Sequence, residues 1–173
     1  MLEASELILN ADNSIYHLNL LPEDISDTII VVGDQNRVGR VSKYFDSIEI
    51  KKEKREFFTH TGVLNGKRIS VLSTGIGADN IDIVLNELDA LANIDFTTRT
   101  IKKEFKQLKI VRLGTSGSVQ PDIPVDSFVL SEYALGFDGV LHYYKNDGIL
   151  HPEFSKAFVE YTAWSREKPW PYL

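Results

Sequence analysis

Cysteine is absent from the sequence, and the only methionine is Met1. Without cysteine the chain can form no disulfide, use no thiol nucleophile and hold no metal through thiolates. Histidine is scarce too, and its four positions lack the short spacings of a zinc site: His17, His60, His142 and His151. The sequence therefore argues against disulfide scaffolds, thiol enzymes and zinc proteins.

Long apolar stretches are missing as well. No run of about 18 apolar residues occurs, so the sequence predicts no membrane-spanning helix. The first ten residues, MLEASELILN, lack the basic segment and the apolar stretch that make up a secretory signal. We therefore expect a cytoplasmic protein with no membrane partner.

Positive charge is in deficit. The chain has 19 Lys and Arg against 25 Asp and Glu, which gives a formal net charge of −6. Proteins that bind nucleic acids normally present a basic surface, so a nucleic-acid partner is not expected. Any anion that this protein binds is expected to be small and to be held by a few local cations.

What the sequence does contain is an alternation of strand and helix signals. Thr28–Val32 is a short β-branched run that stops at Gly33, which predicts a buried strand. After a polar turn, apolar residues recur at helical spacing between residues 37 and 45. The first unit is therefore a strand, a glycine turn and a helix.

The rest of the chain continues this alternation. Asn65-Gly66 is typical of a tight hairpin turn and joins two predicted strands, at residues 57–63 and 68–73. Residues 97–106 are polar and charged, which favours a solvated insertion or a short helix. The other predicted elements are a helix over 81–91, strands at 109–113 and 127–133, and a helix from 152 to about 168. The order predicts an α/β fold with a mixed central β-sheet flanked by helices, in a single domain over residues 1–173.

The end of the sequence carries an apolar helix face that needs a covering layer. Its large members are Phe154, Phe158, Tyr161 and Trp164. We therefore expect the native protein to continue past residue 173, so that this chain is an incomplete part of a larger domain.

Three predicted strands end in small, glycine-rich turns: GDQNR at 33–37, STGIG at 73–77 and GTSG at 114–117. The carboxyl ends of strands in α/β sheets are where ligands bind, because backbone N–H groups and helix N-termini meet there. A glycine after a strand also serves simply to allow a tight turn, so each motif alone is ambiguous.

Arginine makes an anion site at these turns more specific. Arg112 lies within the predicted strand that leads into GTSG. We expect this strand to be buried and Arg112 to be more buried than Arg37, and an unpaired charge in such a place is unfavourable. A guanidinium matches two phosphate oxygens at once, and the hydroxyls of Thr115 and Ser116 follow directly. The alternative is an internal ion pair between Arg112 and an acidic residue. Arg37 stands just after the first turn and is a second candidate.

The segments VVGDQNRV, KREFFTHTGVLNGKRISVLSTGIG and VRLGTSGSVQP occur in this order. Together they resemble the uridine phosphorylase branch of the nucleoside phosphorylases, over residues 14–144. The resemblance implies a nucleoside phosphorylase-like fold. It also implies phosphate-dependent cleavage of the N-glycosidic bond of a nucleoside, with uridine favoured, to give the free base and ribose 1-phosphate.

The resemblance also implies roles for single residues. Gly33, Arg37, Arg112 and Thr115 would bind phosphate within one subunit, and Arg55 would reach the phosphate site of the neighbouring subunit. His17 would contact the 5′-hydroxyl of the neighbour's ribose. Thr115, Ser116 and Gly117 would lie near the ribose and base. Without the resemblance, Arg55 is equally well a solvated member of the charged run 51–56, and His17 an ordinary surface histidine.

Further implications concern cofactors and assembly. Glu56, Ile76 and Asn80 fall where some uridine phosphorylases hold a monovalent cation such as K⁺, although asparagine replaces the expected serine at Asn80. Inorganic phosphate is a co-substrate, and no other cofactor is implied. Residues that act across an interface imply a homodimer or homohexamer. No catalytic residue is identified, because the family's Met-Glu pair for the ribose diol and its Gln and Arg for the base lie in later segments that have no counterpart here.

Three other functions compete with this interpretation. A purine nucleoside phosphorylase or a nucleosidase of the same fold is the alternative within the enzyme class. An inactive truncated fragment that only binds phosphate is the second. A generic nucleotide-binding module is disfavoured, because neither G-x-G-x-x-G nor G-x-x-x-x-G-K-[ST] follows a predicted strand.

Overall fold

The computed structural model describes residues 1–146, 148–165 and 168–172. The chain forms two compact units, residues 1–115 and residues 116–173, and each is described by itself. In the described part of the chain, none of the helices is both long enough and apolar enough to cross a membrane.

The first unit contains a five-stranded sheet and a separate two-stranded hairpin. The seven strands are β1 (Thr28–Val32), β2 (Ser47–Lys54), β3 (Phe57–Leu64), β4 (Lys67–Ser73), β5 (Ile94–Asp95), β6 (Thr100–Ile101) and β7 (Lys109–Leu113). In the large sheet the strands lie in the order β2-β3-β4-β1-β7. The predicted bounds of β1 and β7 are confirmed, whereas β2 was not predicted.

Strand directions make this a mixed sheet, as predicted. β1 runs parallel to both of its neighbours, β4 and β7. The strands β2, β3 and β4 form an antiparallel meander. Because all three parallel strands point the same way, their carboxyl ends lie at one edge of the sheet.

Each face of the sheet is covered by one helix. Helix α1 (Gln35–Ser42) packs its Val38 against Val32 and Val71 on one face. Its N-terminus is capped by Asp34, which accepts a hydrogen bond of 2.9 Å from the backbone N–H of Asn36. Helix α2 (Ala78–Asn93) covers the other face.

The N-terminal segment completes the core on the α2 side. Residues 1–27 contain one short 3₁₀ turn, Pro22–Asp24, and are otherwise irregular. Several apolar side chains of this segment are nevertheless fully buried with α2: Leu7, Ile15, Leu18, Leu20 and Ile25. The segment therefore covers this face of the sheet together with α2, as a second helix would.

Residues 97–106 form no helix. Their only regular element is β6, which pairs with β5 in a short hairpin, and Lys106 bonds its backbone N–H to Asn93 Oδ1 at 2.7 Å. Of the two forms expected from sequence, the short helix is wrong.

The second unit has little regular structure. It contains a 3₁₀ turn, Val140–Tyr143, and helix α3 (Pro152–Thr162). The strand predicted at residues 127–133 is wrong, since this stretch is irregular and exposed. Helix α3 is also shorter than predicted, because Ala163 adopts a left-handed conformation with φ of 49° and ends it.

An aromatic cluster organises this second unit. Phe137 stacks on Trp164 with ring centroids 5.4 Å apart, and Phe158 lies 5.6 Å from Phe137. The aromatic face of α3 is therefore partly covered from within its own unit. Phe154 and Tyr161 stay exposed, at 55% and 92%.

Candidate functional site

Three glycine-rich turns meet at one edge of the sheet in the first unit. Val32, the last residue of β1, pairs with Ser73 of β4 on one side and with Leu113 of β7 on the other. The turns that follow these three residues therefore lie side by side. The sequence predicted each turn at a strand end, and the parallel order β4-β1-β7 is what gathers them.

Arg112 lies against two of these turns. Its Nη2 atom is 3.9 Å from the position that a Cβ atom on Gly33 would occupy. A Cβ atom on Gly114 would collide with Nη1 of the same guanidinium. Glycine at position 114 therefore leaves the room that the Arg112 side chain fills.

Arg37 approaches the same place from the first turn of α1. Its Nη2 atom donates a 3.4 Å hydrogen bond to Thr115 Oγ1. Arg37 is half-buried, and the Asp34 cap fixes the start of the helix that carries it. The four residues predicted to bind phosphate within one subunit, Gly33, Arg37, Arg112 and Thr115, are thus brought together.

The charge of this site is positive and unbalanced. Among the described residues, neither Arg37 nor Arg112 has an ion-pair partner. The internal ion pair considered for Arg112 is therefore not formed within the described chain. Two guanidinium groups and one hydroxyl beside backbone turns suit a small tetrahedral anion.

The burial expected for Arg112 was wrong. Every residue of β7 is exposed, including Val111 at 51% and Leu113 at 45%. The reason is position in the sheet, because within the described residues β7 is an outermost strand whose one neighbour is β1. Arg37, in contrast, is the more buried of the two arginines.

His17 is held by Glu87 of helix α2. The carboxylate of Glu87 accepts hydrogen bonds from the backbone N–H groups of His17 (2.9 and 3.1 Å) and Leu18 (2.8 Å). It also lies 2.7 Å from His17 Nδ1. Glu87 was missed from the sequence, since 70 positions separate it from His17 and no local pattern links them.

Tyr16 joins His17 to Arg55. The Tyr16 ring makes an edge contact with the His17 ring, with 4.8 Å between the ring centroids. Arg55 Cζ lies 6.0 Å from the centroid of the Tyr16 ring. Lys54 Nζ is closer still, 4.3 Å from the ring centroid, and donates a 2.5 Å hydrogen bond to the backbone carbonyl of Tyr16. The two residues expected to act across an interface therefore share one surface of the first unit.

Arg55 itself has an unusual backbone. It lies in the two-residue connection between β2 and β3 with φ of 56°, a left-handed conformation that arginine adopts rarely. Its side chain is exposed. Such strain is common where a turn must present a side chain for function.

The three residues considered for a monovalent cation lie around the β4 turn. Ser73 Oγ donates a 2.6 Å hydrogen bond to the Glu56 carbonyl, which places the start of β3 beside the STGIG turn. The Asn80 amide lies against Gly75, whose φ of 72° is positive, and Ile76 is 92% exposed. Within the described residues no group of three His, Asp or Glu side chains could hold a metal ion. The cation site stays a prediction.

Ser116 and Gly117 begin the second unit. Both are exposed and belong to an irregular stretch. Their expected place near the ribose and base remains a prediction.

The chain is similar to known phosphorylases. The sequence profile described as "Phosphorylase superfamily" matches residues 27–164. The chain is 33% identical to uridine phosphorylase of Haemophilus influenzae over 134 residues, which is 76% of this chain and 48% of that protein. It is 31% identical to the DeoD-type purine nucleoside phosphorylase of Levilactobacillus brevis over 149 residues, 86% of this chain and 58% of that protein.

A solved structure agrees with these relatives. The nucleoside phosphorylase of Trypanosoma brucei, reported to show uridine phosphorylase activity, superposes with a TM-score of 0.63 at 36% identity. The match covers 68% of this chain and 41% of that one. The chain thus spans about half the length of the curated relatives that it matches.

Proposed function

The chain belongs to the phosphorylase superfamily, and from that membership we propose that it supplies the phosphate-binding part of a nucleoside phosphorylase. The reaction is attack of inorganic phosphate on the anomeric carbon of a nucleoside. The glycosidic bond to the base breaks, and the products are the free base and ribose 1-phosphate. The cytoplasmic location expected from the sequence belongs to the same proposal.

The observation that carries this proposal is the unpaired arginine cluster at the meeting point of the three turns. Arg112 lies against the turns at Gly33 and Gly114, and Arg37 bonds to Thr115. A dianion placed between the two guanidinium groups would meet charged donors from two sides, with the Thr115 hydroxyl beside them. A nucleosidase, which uses water, has no need of such a cluster.

The protein's task in such a reaction is positioning more than covalent chemistry. Phosphate held below the sugar by Arg37, Arg112 and Thr115 becomes a reactant of high effective concentration. Its negative charge also stabilises the positive charge that develops on the sugar as the base departs. In this proposal Arg37, Arg112 and Thr115 bind the phosphate, and other residues bind the nucleoside.

The nucleoside half is assigned on similarity. Uridine is favoured because three relatives are described as uridine phosphorylases. The similar trypanosomal enzyme is reported to show uridine phosphorylase activity as well. The relatives described as DeoD-type purine nucleoside phosphorylases support purine nucleosides as the second candidate. No Met-Glu pair that would bind the ribose diol occurs in the chain, whose one methionine is Met1.

The proposed assembly is a homodimer or a homohexamer of such dimers. Its support is the common surface that His17 and Arg55 share through Tyr16. In a two-fold dimer one surface of each subunit serves the site of the other, so two equivalent sites form. A monovalent cation such as K⁺ at Glu56, Ile76 and Asn80 is part of the same proposal.

Two measurements test the function. Phosphate titration of the chain shows whether the arginine cluster binds the anion, with sulfate and chloride as competitors. Product analysis then compares uridine, inosine and methylthioadenosine, each with and without phosphate. Phosphate-dependent release of uracil supports the proposal. Base release that is equally fast without phosphate identifies a nucleosidase, and phosphate binding without turnover identifies a binding fragment.

A further inference from the structure

The Glu87 carboxylate contacts three nitrogen atoms of the N-terminal segment. Two are the backbone N–H donors of His17 and Leu18, and the third is Nδ1 of the His17 ring, 2.7 Å from Oε1. The Glu87 side chain is 12% exposed, so little water competes for its oxygens. This carboxylate fixes both the backbone and the ring of His17.

The geometry points to Glu87 as a positioning residue that sets the hydrogen-bonding role of His17 toward a substrate hydroxyl. This inference rests on the proposed function, in which His17 contacts the ribose of the neighbouring subunit. A carboxylate only accepts, so the ring nitrogen that faces it must carry the proton. In the neutral imidazole the other nitrogen, Nε2, is then an acceptor.

An acceptor at Nε2 suits a hydroxyl donor. Within the described residues Nε2 of His17 has no hydrogen-bond partner, and the His17 side chain is 26% exposed. The edge contact with Tyr16 limits the ring from the other side. The ring therefore presents one defined acceptor at the surface that also carries Arg55.

The deciding experiment measures the protonated nitrogen of His17 by long-range ¹⁵N–¹H correlation on the full chain. Wild type and Glu87→Gln are compared, with Asp89→Asn as the matched change on the same helix. His60, whose Nδ1 contacts Ser42 Oγ at 2.8 Å, reports in the same spectra that the fold is unchanged.

We expect neutral His17 to carry its proton on Nδ1 in the wild type and in Asp89→Asn. In Glu87→Gln the side-chain amide can either donate or accept, so it does not fix which nitrogen of His17 carries the proton. We expect a mixture of the two His17 tautomers, while the His60 signals stay in place. A proton on Nε2 in the wild type would overturn the inference, and so would a His17 tautomer that Glu87→Gln leaves unaltered.

A second measurement connects the tautomer to the substrate. Glu87→Gln is expected to raise KM for uridine about fivefold, the effect of one hydrogen bond, and to leave KM for 5′-deoxyuridine nearly unchanged. Equal effects on both nucleosides would contradict a role toward the hydroxyl. If the wild type cleaves neither nucleoside, the proposed function fails, and the tautomer measurement still decides whether Glu87 controls His17.

Discussion

Arg37 and Thr115 are 78 positions apart in the sequence, and a 3.4 Å hydrogen bond from Arg37 Nη2 to Thr115 Oγ1 joins them. One residue follows β1 and the other follows β7, so the contact spans two adjacent strand ends. It exists because β7 is inserted next to β1 from a distant part of the chain. Five predictions test the site and the fold that builds it.

The first prediction concerns the Thr115 hydroxyl. Thr115→Val keeps the side-chain shape but removes both the acceptor for Arg37 and a donor to phosphate. We expect phosphate affinity to fall about 3- to 10-fold, the effect of one or two modest hydrogen bonds. Thr115→Ser retains the hydroxyl and should bind phosphate like the wild type. Calorimetric titration of both variants makes the comparison, and equal affinity in the valine variant would contradict the assignment.

The second prediction concerns the arginines. Arg112→Ala should weaken phosphate binding about 10- to 150-fold, because charge-assisted hydrogen bonds at the meeting point of two turns are lost. Arg37→Ala should weaken it less, since Arg112 lies against the turns at both Gly33 and Gly114, whereas the described contact of Arg37 is to Thr115. Arg40→Ala, an exposed change on the last turn of α1, is the control and should have no effect. Wild-type affinity in the Arg112 variant would refute the phosphate site.

The third prediction concerns exchange of residues between subunits. An Arg55→Ala chain and an Arg112→Ala chain are each expected to form defective sites. In a heterodimer of the two, one site receives intact Arg112 and Arg55, so that about a quarter of all sites recover in a statistical mixture. The pair Arg37→Ala and Arg112→Ala is the control, because both residues belong to one subunit's site and no recovery should occur. Phosphate-binding stoichiometry of a verified heterodimer gives the answer.

The fourth prediction concerns the sheet. A Cβ atom on Gly62 of β3 would collide with the carbonyl oxygen of Ser47, next to the register shift between Ile48 and Ile50 of β2. Gly62→Ala should therefore destabilise the first unit by about 1–3 kcal/mol.

Gly39→Ala is the matched change to Gly62→Ala. It meets no atom within 4 Å in α1 and should stabilise by about 0.5–1 kcal/mol, since glycine is a poor helix residue. Urea unfolding of both variants measures the difference, and equal midpoints would count against the packing described.

The fifth prediction concerns pH. Burial of the His60 ring, together with the positive charge of Lys51, lowers the pKa of His60 from its ordinary 6.5. The unfolded chain therefore binds more protons than the folded chain between the lowered pKa and 6.5. Stability should decrease as the pH falls through this window and be unaffected by His60 above it.

The variant His60→Gln separates this contribution from those of other groups. Glutamine can still bond to Ser42 Oγ, 2.8 Å from His60 Nδ1, but it does not titrate. The free energy of unfolding of this variant should depend less steeply on pH below 6.5 than that of the wild type. Parallel curves for the two proteins over that range would show that the His60 pKa is not lowered.

An element could be predicted from the sequence where all of its residues share a similar degree of burial. Thr28–Val32 is β-branched and apolar throughout because β1 is central, with a neighbour on each side. Strand β2 was missed because it is an edge strand with mostly charged and exposed side chains, which read as a solvated run. The apolar residues at 127–133 predicted a strand. A strand needs a partner strand, however, and among the described residues no strand pairs with this stretch.

The features of the site also differ in whether they leave a local signal in the sequence. The proximity of Gly33, Arg37, Arg112 and Thr115 could be predicted, because each lies at or beside the end of a recognisable strand and the ends of parallel strands meet at one edge of a sheet. The exposure of Arg112 could not be predicted, because the residue pattern of β7 does not reveal that this strand has a single neighbour in the described sheet. Glu87 and Tyr16 act on His17 and Arg55 through tertiary contacts that leave no periodic signal in the chain.

The outermost position of β7 in the described sheet would couple the proposed anion site to the opening of the sheet. Among the described residues this strand pairs with β1 alone, yet it carries Arg112 and, directly after it, Thr115. If β7 were to detach, these two of the four residues that converge on the site would leave with it. An anion that binds only the closed form therefore adds its binding energy to the docking of β7. Ligand occupancy and closure of this edge are then a single coupled equilibrium.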